Sequence, residues 1–358
     1  MDLKTKVTER LLIQYPIIQA PMAGGVTTSE LVAEVSNTGG LGMIGAGYMT
    51  PDQVRKQIRE IKELTNAPFG VNLFVPGEFD TTEKEWQEAN QALQPIRNQL
   101  NIPDDKTDAP VFDHLLETFQ EQMKVIQEEE VPICSFTFGI PSKDTVKQLK
   151  SQDIILIGTA TTVKEAIEIE RSGMDIVVVQ GSEAGGHRGD FSPDNQDGLV
   201  GLMSLIPQVV DQVRIPVIAA GGIMDGRGLM ASLCLGAEGV QMGTAFLTCK
   251  ESGANPLHKQ EILQAQEDQV VLTRSFSGKW ARGIHNQFIS EFSQKEATIP
   301  DYPVQNSLTK GIRKASASQG NPEYMSLWSG QSPRLAKDQT VKTLMESVIT
   351  EAKQVSVE

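Results

Sequence analysis

The sequence predicts an α/β fold, a (β/α)8 TIM barrel with a helical insertion after strand 3 and a C-terminal loop and helix extension. Three observations point there. A short, β-rich apolar run followed by an amphipathic stretch recurs about eight times, the alternation that lays parallel strands under helices. Several runs are apolar throughout instead of alternating, as strands packed on both faces require. Glycine-rich segments follow the runs, at the strand ends where such barrels carry their chemistry. A doubly wound open sheet shares this local alternation, but eight units favour closure.

The apolar runs are residues 16–22, 41–46, 69–74, 131–136, 154–158, 175–179, 215–219 and 239–242. Helices are expected at 29–36, where Leu31, Val32 and Val35 share a face and Gly39-Gly40 ends the turn, and at 51–64, 163–172 and 227–235. Two segments break the repeat. Residues 78–130, rich in Glu and Gln with sparse apolar positions, read as a helical excursion. The chain after about 272 reads as loop-rich to 333 and helical over 336–353. The expected organisation is therefore a barrel from 1–76 and 131–270, an insertion at 77–130 and an extension at 271–358 packed on the barrel.

Composition narrows the ligand. The 358 residues are 39% hydrophobic and 22% charged, enough for a sizeable core, and no run approaches the length that crosses a bilayer. A net charge of −14 repels nucleic acid and anionic membranes. The first residues lack the apolar stretch of a secretory signal, so a cytoplasmic location is expected. Cys134, Cys234 and Cys249 lack paired spacing and read as small buried hydrophobes. His114, His258 and His285 read as surface or structural residues. No cluster has metal-ligand spacing, and neither a Gly-x-Ser-x-Gly elbow nor a lysine-bearing phosphate loop is present. A small-molecule ligand without a metal is expected.

The strongest motif is Gln180-Gly181-Ser182-Glu183-Ala184-Gly185-Gly186-His187-Arg188-Gly189, directly after the sixth run. Its glycines let backbone approach a flat ligand and present amides to it, and His187 is the side chain best matched to proton transfer near neutral pH. The plainer reading is a glycine turn with a solvated histidine. Ala219-Ala220-Gly221-Gly222-Ile223 and Gln241-Met242-Gly243-Thr244 end the last two runs, where barrels often bind phosphate. Turns that need glycine only for geometry are the alternative. Met22, in Gln19-Ala20-Pro21-Met22-Ala23-Gly24-Gly25, offers a soft surface to a ring face, and Asn72 an amide that both donates and accepts. Tyr302 and Trp328 are candidates for a substrate pocket.

Taken together, these segments resemble the flavin-binding barrels of the nitronate monooxygenase family, formerly called 2-nitropropane dioxygenases, over about residues 10–290. The resemblance implies bound FMN. Its phosphate would lie near Gly222, Gly243 and Thr244 and its ring against Asn72, Gln180, Gly185 and Gly186, with Met22, Gly221, Gln241 and Met242 completing the cofactor site. His187, ending Glu-Ala-Gly-Gly-His, corresponds to the family's proposed base. FMN-dependent enoyl-acyl-carrier-protein reductases share that loop. The long excursion after Asn72-Leu73-Phe74-Val75-Pro76 and the tail Tyr324-Met325-Ser326-Leu327-Trp328-Ser329-Gly330 favour the monooxygenase. Thr137 stands where some relatives carry a histidine, so a second imidazole is missing. The implied reaction is oxidative denitrification of alkyl nitronates such as propionate 3-nitronate with O2, a detoxification giving a carbonyl compound and nitrite. A homodimer is the candidate assembly. A phosphate-binding barrel with different chemistry, such as a carrier or a sugar-phosphate isomerase, is the reading from another class.

Overall fold

The computed structural model describes residues 3–103, 109–192 and 199–355. In chain order the strands are β1 (Ile17–Gln19), β2 (Gly42–Gly45), β3 (Phe69–Phe74), β4 (Ile133–Thr137), β5 (Ile155–Ala160), β6 (Ile176–Gln180), β7 (Gly186–His187), β8 (Val217–Ala220), β9 (Gly239–Met242), β10 (Val270–Thr273) and β11 (Ala281–Ile284). Among the described residues, all but β7, β10 and β11 form one parallel sheet in the order β1-β9-β8-β6-β5-β4-β3-β2. The two ends meet. Ile18 bridges Leu41 in parallel, the Gln19 amide donates to the Leu41 carbonyl at 2.9 Å, and Gln19 Oε1 accepts from the Met43 amide at 3.0 Å. The expected TIM barrel is thus present, with helices between its strands.

The continuous apolar runs divide by strand parity. Ile18, Met43, Ile133, Ile157, Ile176, Val178 and Ile218 point into one cluster that fills the barrel. Their neighbours Val71, Cys134, Leu156, Val177, Val179, Val217 and Val240 join the larger core under the helices. Alternate side chains point to opposite faces, and both faces here are largely dry, so apolar residues fill most of both register positions. Helices fall where the pattern places them: Ser29–Asn37, Pro51–Leu64, Val163–Arg171 and Gly226–Cys234. Thr28, Thr50, Thr162 and Asp225 cap them by accepting first-turn amides. Cys134 and Cys249 are buried as expected, but Cys234 is exposed, because it ends its helix on the solvent side.

The excursion after β3 contains the helices Glu83–Gln99 and Phe112–Glu128. The tail is more ordered than its composition suggests. The β10–β11 hairpin and the helices Gln287–Ser293 and Val304–Ser318 occupy the stretch expected to be loop-rich, and the last helix is Val341–Val355. In Val304–Ser318 the apolar positions Val304, Leu308 and Ile312 recur every four residues, but lysines, serines and a glycine fill the rest. Propensity alone is weak there. Packing supplies the difference: Leu308 and Ile312 share a core with Leu93 and Ile96 of the excursion and with Phe276 and Phe288. Arg97 adds a hydrogen bond from Nη2 to the Leu308 carbonyl at 3.2 Å. The first excursion helix and the tail, distant in sequence, thus pack as one unit, whereas Phe119, Met123 and Ile126 of Phe112–Glu128 join the core under the barrel helices.

Close packing of the helix Ser29–Asn37 on β2 depends on Gly42, where an added Cβ would fall 2.1 Å from the Val32 carbonyl oxygen. Backbone cannot yield as a side-chain tip can. Gly42→Ala is expected to destabilise the fold by about 2–3 kcal/mol, read as a lower urea midpoint with an unchanged slope. An unchanged midpoint would show that the helix does not sit this close.

Candidate active site

A cavity of about 1260 Å3 opens at the C-terminal ends of the barrel strands. It exceeds the roughly 300–1,000 Å3 of ordinary small-molecule sites, which leaves room for two ligands side by side. Met22, Asn72, Gln180, Gly185, Gly186, His187, Gly221, Gly222, Gln241, Gly243 and Thr244 all line it. Met242 does not. Its side chain, 1% exposed, packs in the core, and its carbonyl accepts from the Ala20 amide at 2.8 Å. Tyr302 and Trp328 line the cavity as well.

His187 is placed by two parts of the chain. Its backbone pairs with the hairpin, Ala281 opposite His187 and Arg282 opposite Gly186, so β7 becomes the third strand of an antiparallel sheet. Gln180 braces the loop from the barrel side: Nε2 donates to the His187 carbonyl at 3.0 Å and Oε1 accepts from the Gly189 amide at 2.8 Å. Both ends of that amide are engaged. The imidazole Nε2 lies 2.8 Å from Ser277 Oγ. Phe138, Tyr302 and Trp328 meet the ring edgewise, with centroids 5.9, 6.1 and 5.5 Å away. Burial, with Lys279 and then Arg313 adding positive charge nearby, pushes the imidazole down to about 3. Both causes favour the neutral ring.

The walls around His187 combine aromatics with cations. Phe138 follows β4 at φ 71°, a conformation costly for a bulky residue, and its ring lies 4.5 Å from Phe74. Lys279 Nζ stands 5.1 Å above Phe138 and 3.1 Å from Asp190 Oδ1, so this cation is matched by a carboxylate. Arg274 is matched by Asp301 at 2.5 Å. Arg313 and Lys310 are different: among the described residues neither has a carboxylate within ion-pair distance, though both line the cavity. Arg313 Nη2 donates to the carbonyl and Oδ1 of Asn306, both at 2.8 Å, while its buried Nε has no partner. An unpartnered buried donor costs about 1–3 kcal/mol. Burial also holds the Arg313 pKa below its usual value and the Tyr48 and Tyr302 hydroxyls above theirs. Tyr48 lines the cavity with 44% of its surface open.

Glycine backbone and small polar groups line the cavity as well. Gly186 has φ 71°, and a Cβ added there would meet nothing within 4 Å, so only glycine leaves this face flat without backbone strain. Asn72 Nδ2 donates to Ser135 Oγ at 2.8 Å and to Thr137 Oγ1 at 3.1 Å, which orients the amide and leaves Oδ1 free to accept. Thr244 Oγ1 accepts from the Gly330 amide at 3.0 Å and keeps its own proton to give. A flat ring with an oxyanion tail fits this chemistry. The contributors that sequence reading missed are Tyr48, Phe138, Ser277, Lys279 and Arg313. Phe138 and Tyr48 carried a usable signal, because both directly follow barrel strands; the others depend on the fold of the tail.

His258, on the helix Pro256–Gln264, is buried and donates from Nε2 to the Trp328 carbonyl at 2.9 Å. Burial lowers it from 6.5 to about 4. The unfolded chain thus binds this proton at a higher pH than the folded one, so stability falls as pH drops from about 6.5 to 4. At pH 5 the loss is roughly 2 kcal/mol relative to pH 7. His258→Gln should narrow the gap between urea midpoints at the two pH values, and an unaltered gap would contradict the assignment.

The family model described as nitronate monooxygenase matches residues 4–351. The chain is 54% identical over 351 residues to a probable nitronate monooxygenase of Staphylococcus haemolyticus (strain JCSC1435), covering 97% of each chain. It is 52% identical over 354 residues to a probable nitronate monooxygenase of Staphylococcus aureus (strain Newman), covering 98% of each. Among solved structures, nitroalkane oxidase from Streptomyces ansochromogenes superposes with a TM-score of 0.91 at 36% identity, over 98% of this chain and 99% of that one. FabK from Thermotoga maritima gives 0.78 at 32% identity, over 99% and 97%. With barrel, loop and histidine in the arrangement described, the chain belongs to the nitronate monooxygenase family and is an oxidoreductase.

Proposed function

We propose that this chain is an FMN-dependent nitronate monooxygenase that converts alkyl nitronates, such as propionate 3-nitronate, and O2 to a carbonyl compound and nitrite. The observation that carries the reading is an imidazole kept neutral by burial and facing a cavity whose Arg313 and Lys310 have, among the described residues, no carboxylate within ion-pair distance. A nitronate is an anion made by removing one proton from carbon, so it calls for a neutral base and an uncompensated cation together. Bound FMN would supply the electron transfer between nitronate and oxygen. Gly221, Gly222, Gly243 and Thr244 would hold its phosphate, with the Thr244 hydroxyl donating. Met22, Asn72, Gln180, Gly185, Gly186 and Gln241 would face its ring, and Met242 would support that wall from within the core.

The remaining work belongs to side chains. His187 takes the α-proton when a neutral nitroalkane is offered. Arg313 and Lys310 attract the anion, and the partly buried Arg313 acts more strongly than the exposed Lys310. Phe74, Phe138, Tyr302 and Trp328 exclude water around the reacting carbon. We assign the enzyme to the cytosol, in a detoxifying role, with a homodimer as its assembly.

Purified protein should show flavin absorbance, releasable as FMN, and should form nitrite from a nitronate in air. Colourless protein after refolding with FMN, or reduction of an enoyl thioester by NADH without nitrite formation, would overturn this reading. His187→Asn should lower kcat/KM for a neutral nitroalkane by about 10²-fold or more; unchanged turnover removes His187 from the reaction. Arg313→Met should raise KM for an anionic nitronate by about tenfold, and an unchanged KM would place anion binding elsewhere.

A further inference from the structure

Hydrogen-bond bookkeeping at Ser277 fixes more than the orientation of His187. Ser277, 2% exposed in the β10–β11 turn, places Oγ 2.8 Å from His187 Nε2. The same hydroxyl donates to the Lys279 carbonyl at 3.1 Å and accepts from the Lys279 amide at 3.3 Å. A hydroxyl has one proton and two acceptor positions. With the proton committed to the carbonyl, the contact with His187 has to run from Nε2–H to Oγ. A neutral imidazole carries a single N–H, so Nδ1 is then the lone pair. Nδ1 has no hydrogen bond among the described residues and is absent from their buried unpartnered atoms, which leaves it open to the cavity that His187 lines. In the opposite arrangement Ser277 turns its proton to Nε2, and the Lys279 carbonyl loses its donor.

We propose that Ser277 is a positioning residue that keeps the His187 proton on Nε2, so that Nδ1 meets the substrate as a base and the enzyme deprotonates neutral nitroalkanes as well as taking up nitronates. This rests on the nitronate reading above. In the step, the Nδ1 lone pair takes the α-proton, the C–H electron pair forms the C=N bond, and one N=O pair moves onto oxygen. The products are a nitronate and an imidazolium, with nothing oxidised or reduced. Both imidazolium N–H groups then have acceptors: Nε2–H keeps Ser277, and Nδ1–H faces the new anion. The substrate chooses nothing here. Ser277, through one hydroxyl proton, decides whether the ring offers a lone pair or an N–H to the cavity.

The test uses FMN-loaded protein labelled with 15N-histidine. In the unmodified protein the His187 signals, identified by their loss in His187→Asn, should show a protonated Nε2 and an unprotonated Nδ1. The reverse pattern overturns the proposal. In Ser277→Ala, kcat/KM for a neutral nitroalkane relative to that for its nitronate should fall by about tenfold. An unchanged ratio, including an equal loss on both substrates, overturns it. If Ser277→Ala does not fold, the nitrogen spectrum of the unmodified protein decides alone. If the unmodified protein forms nitrite from neither substrate, the nitronate reading fails, while the spectrum still judges what Ser277 does to the ring.

Discussion

A two-residue strand holds this site together. Gly186 and His187 leave the barrel as part of a glycine-rich loop, which left to itself would sample many conformations at high entropic cost to order. Pairing with Ala281 and Arg282 of the hairpin removes that freedom. Two buried arginines complete the restraint: Arg188 donates from Nη1 to the Gly181 carbonyl at 2.6 Å, and Arg282 from Nε to the Ser182 carbonyl at 2.9 Å. His187 is thereby carried by the barrel and aimed by the tail. Neither part makes the site alone.

The same docking creates the electrostatics. By covering His187 with Phe138, Tyr302 and Trp328, it strips water from the ring and keeps it uncharged beside Lys279 and Arg313. Lys279, although paired with Asp190, acts on the ring more strongly than Arg313 does. Such an arrangement is locally unfavourable: a strained Phe138 and an unpartnered Arg313 Nε each cost stability. The dense apolar barrel beneath, buried on both faces of every strand, supplies the offset.

How far the sequence foretold this follows from the range of the interactions. Barrel strands such as Ile176–Gln180 were legible because burial on both faces writes itself as a continuous apolar run. The glycine loops were legible because few other residues could take their place, Gly186 above all. The helix Val304–Ser318 was not, since its apolar stripe is thin and its stability comes from Leu93 and Ile96, some two hundred residues earlier. Ser277 and Arg313 were hidden for the same reason: a serine and an arginine in a polar stretch carry no local mark of burial. Met242 misled in the other direction, because strand alternation turns it inward to the core while its neighbours Gln241 and Gly243 face the cavity.

The central claim is that docking the barrel loop into the tail produces a neutral, water-poor imidazole. A proton-NMR titration of His187 tests it most directly. The ring signal should hold one position from pH 8 down to about 5, since a group lowered to about 3 takes up almost no proton in that range. A titration centred near 6.5 would mean that the ring is solvated as in a free histidine, and would contradict the account.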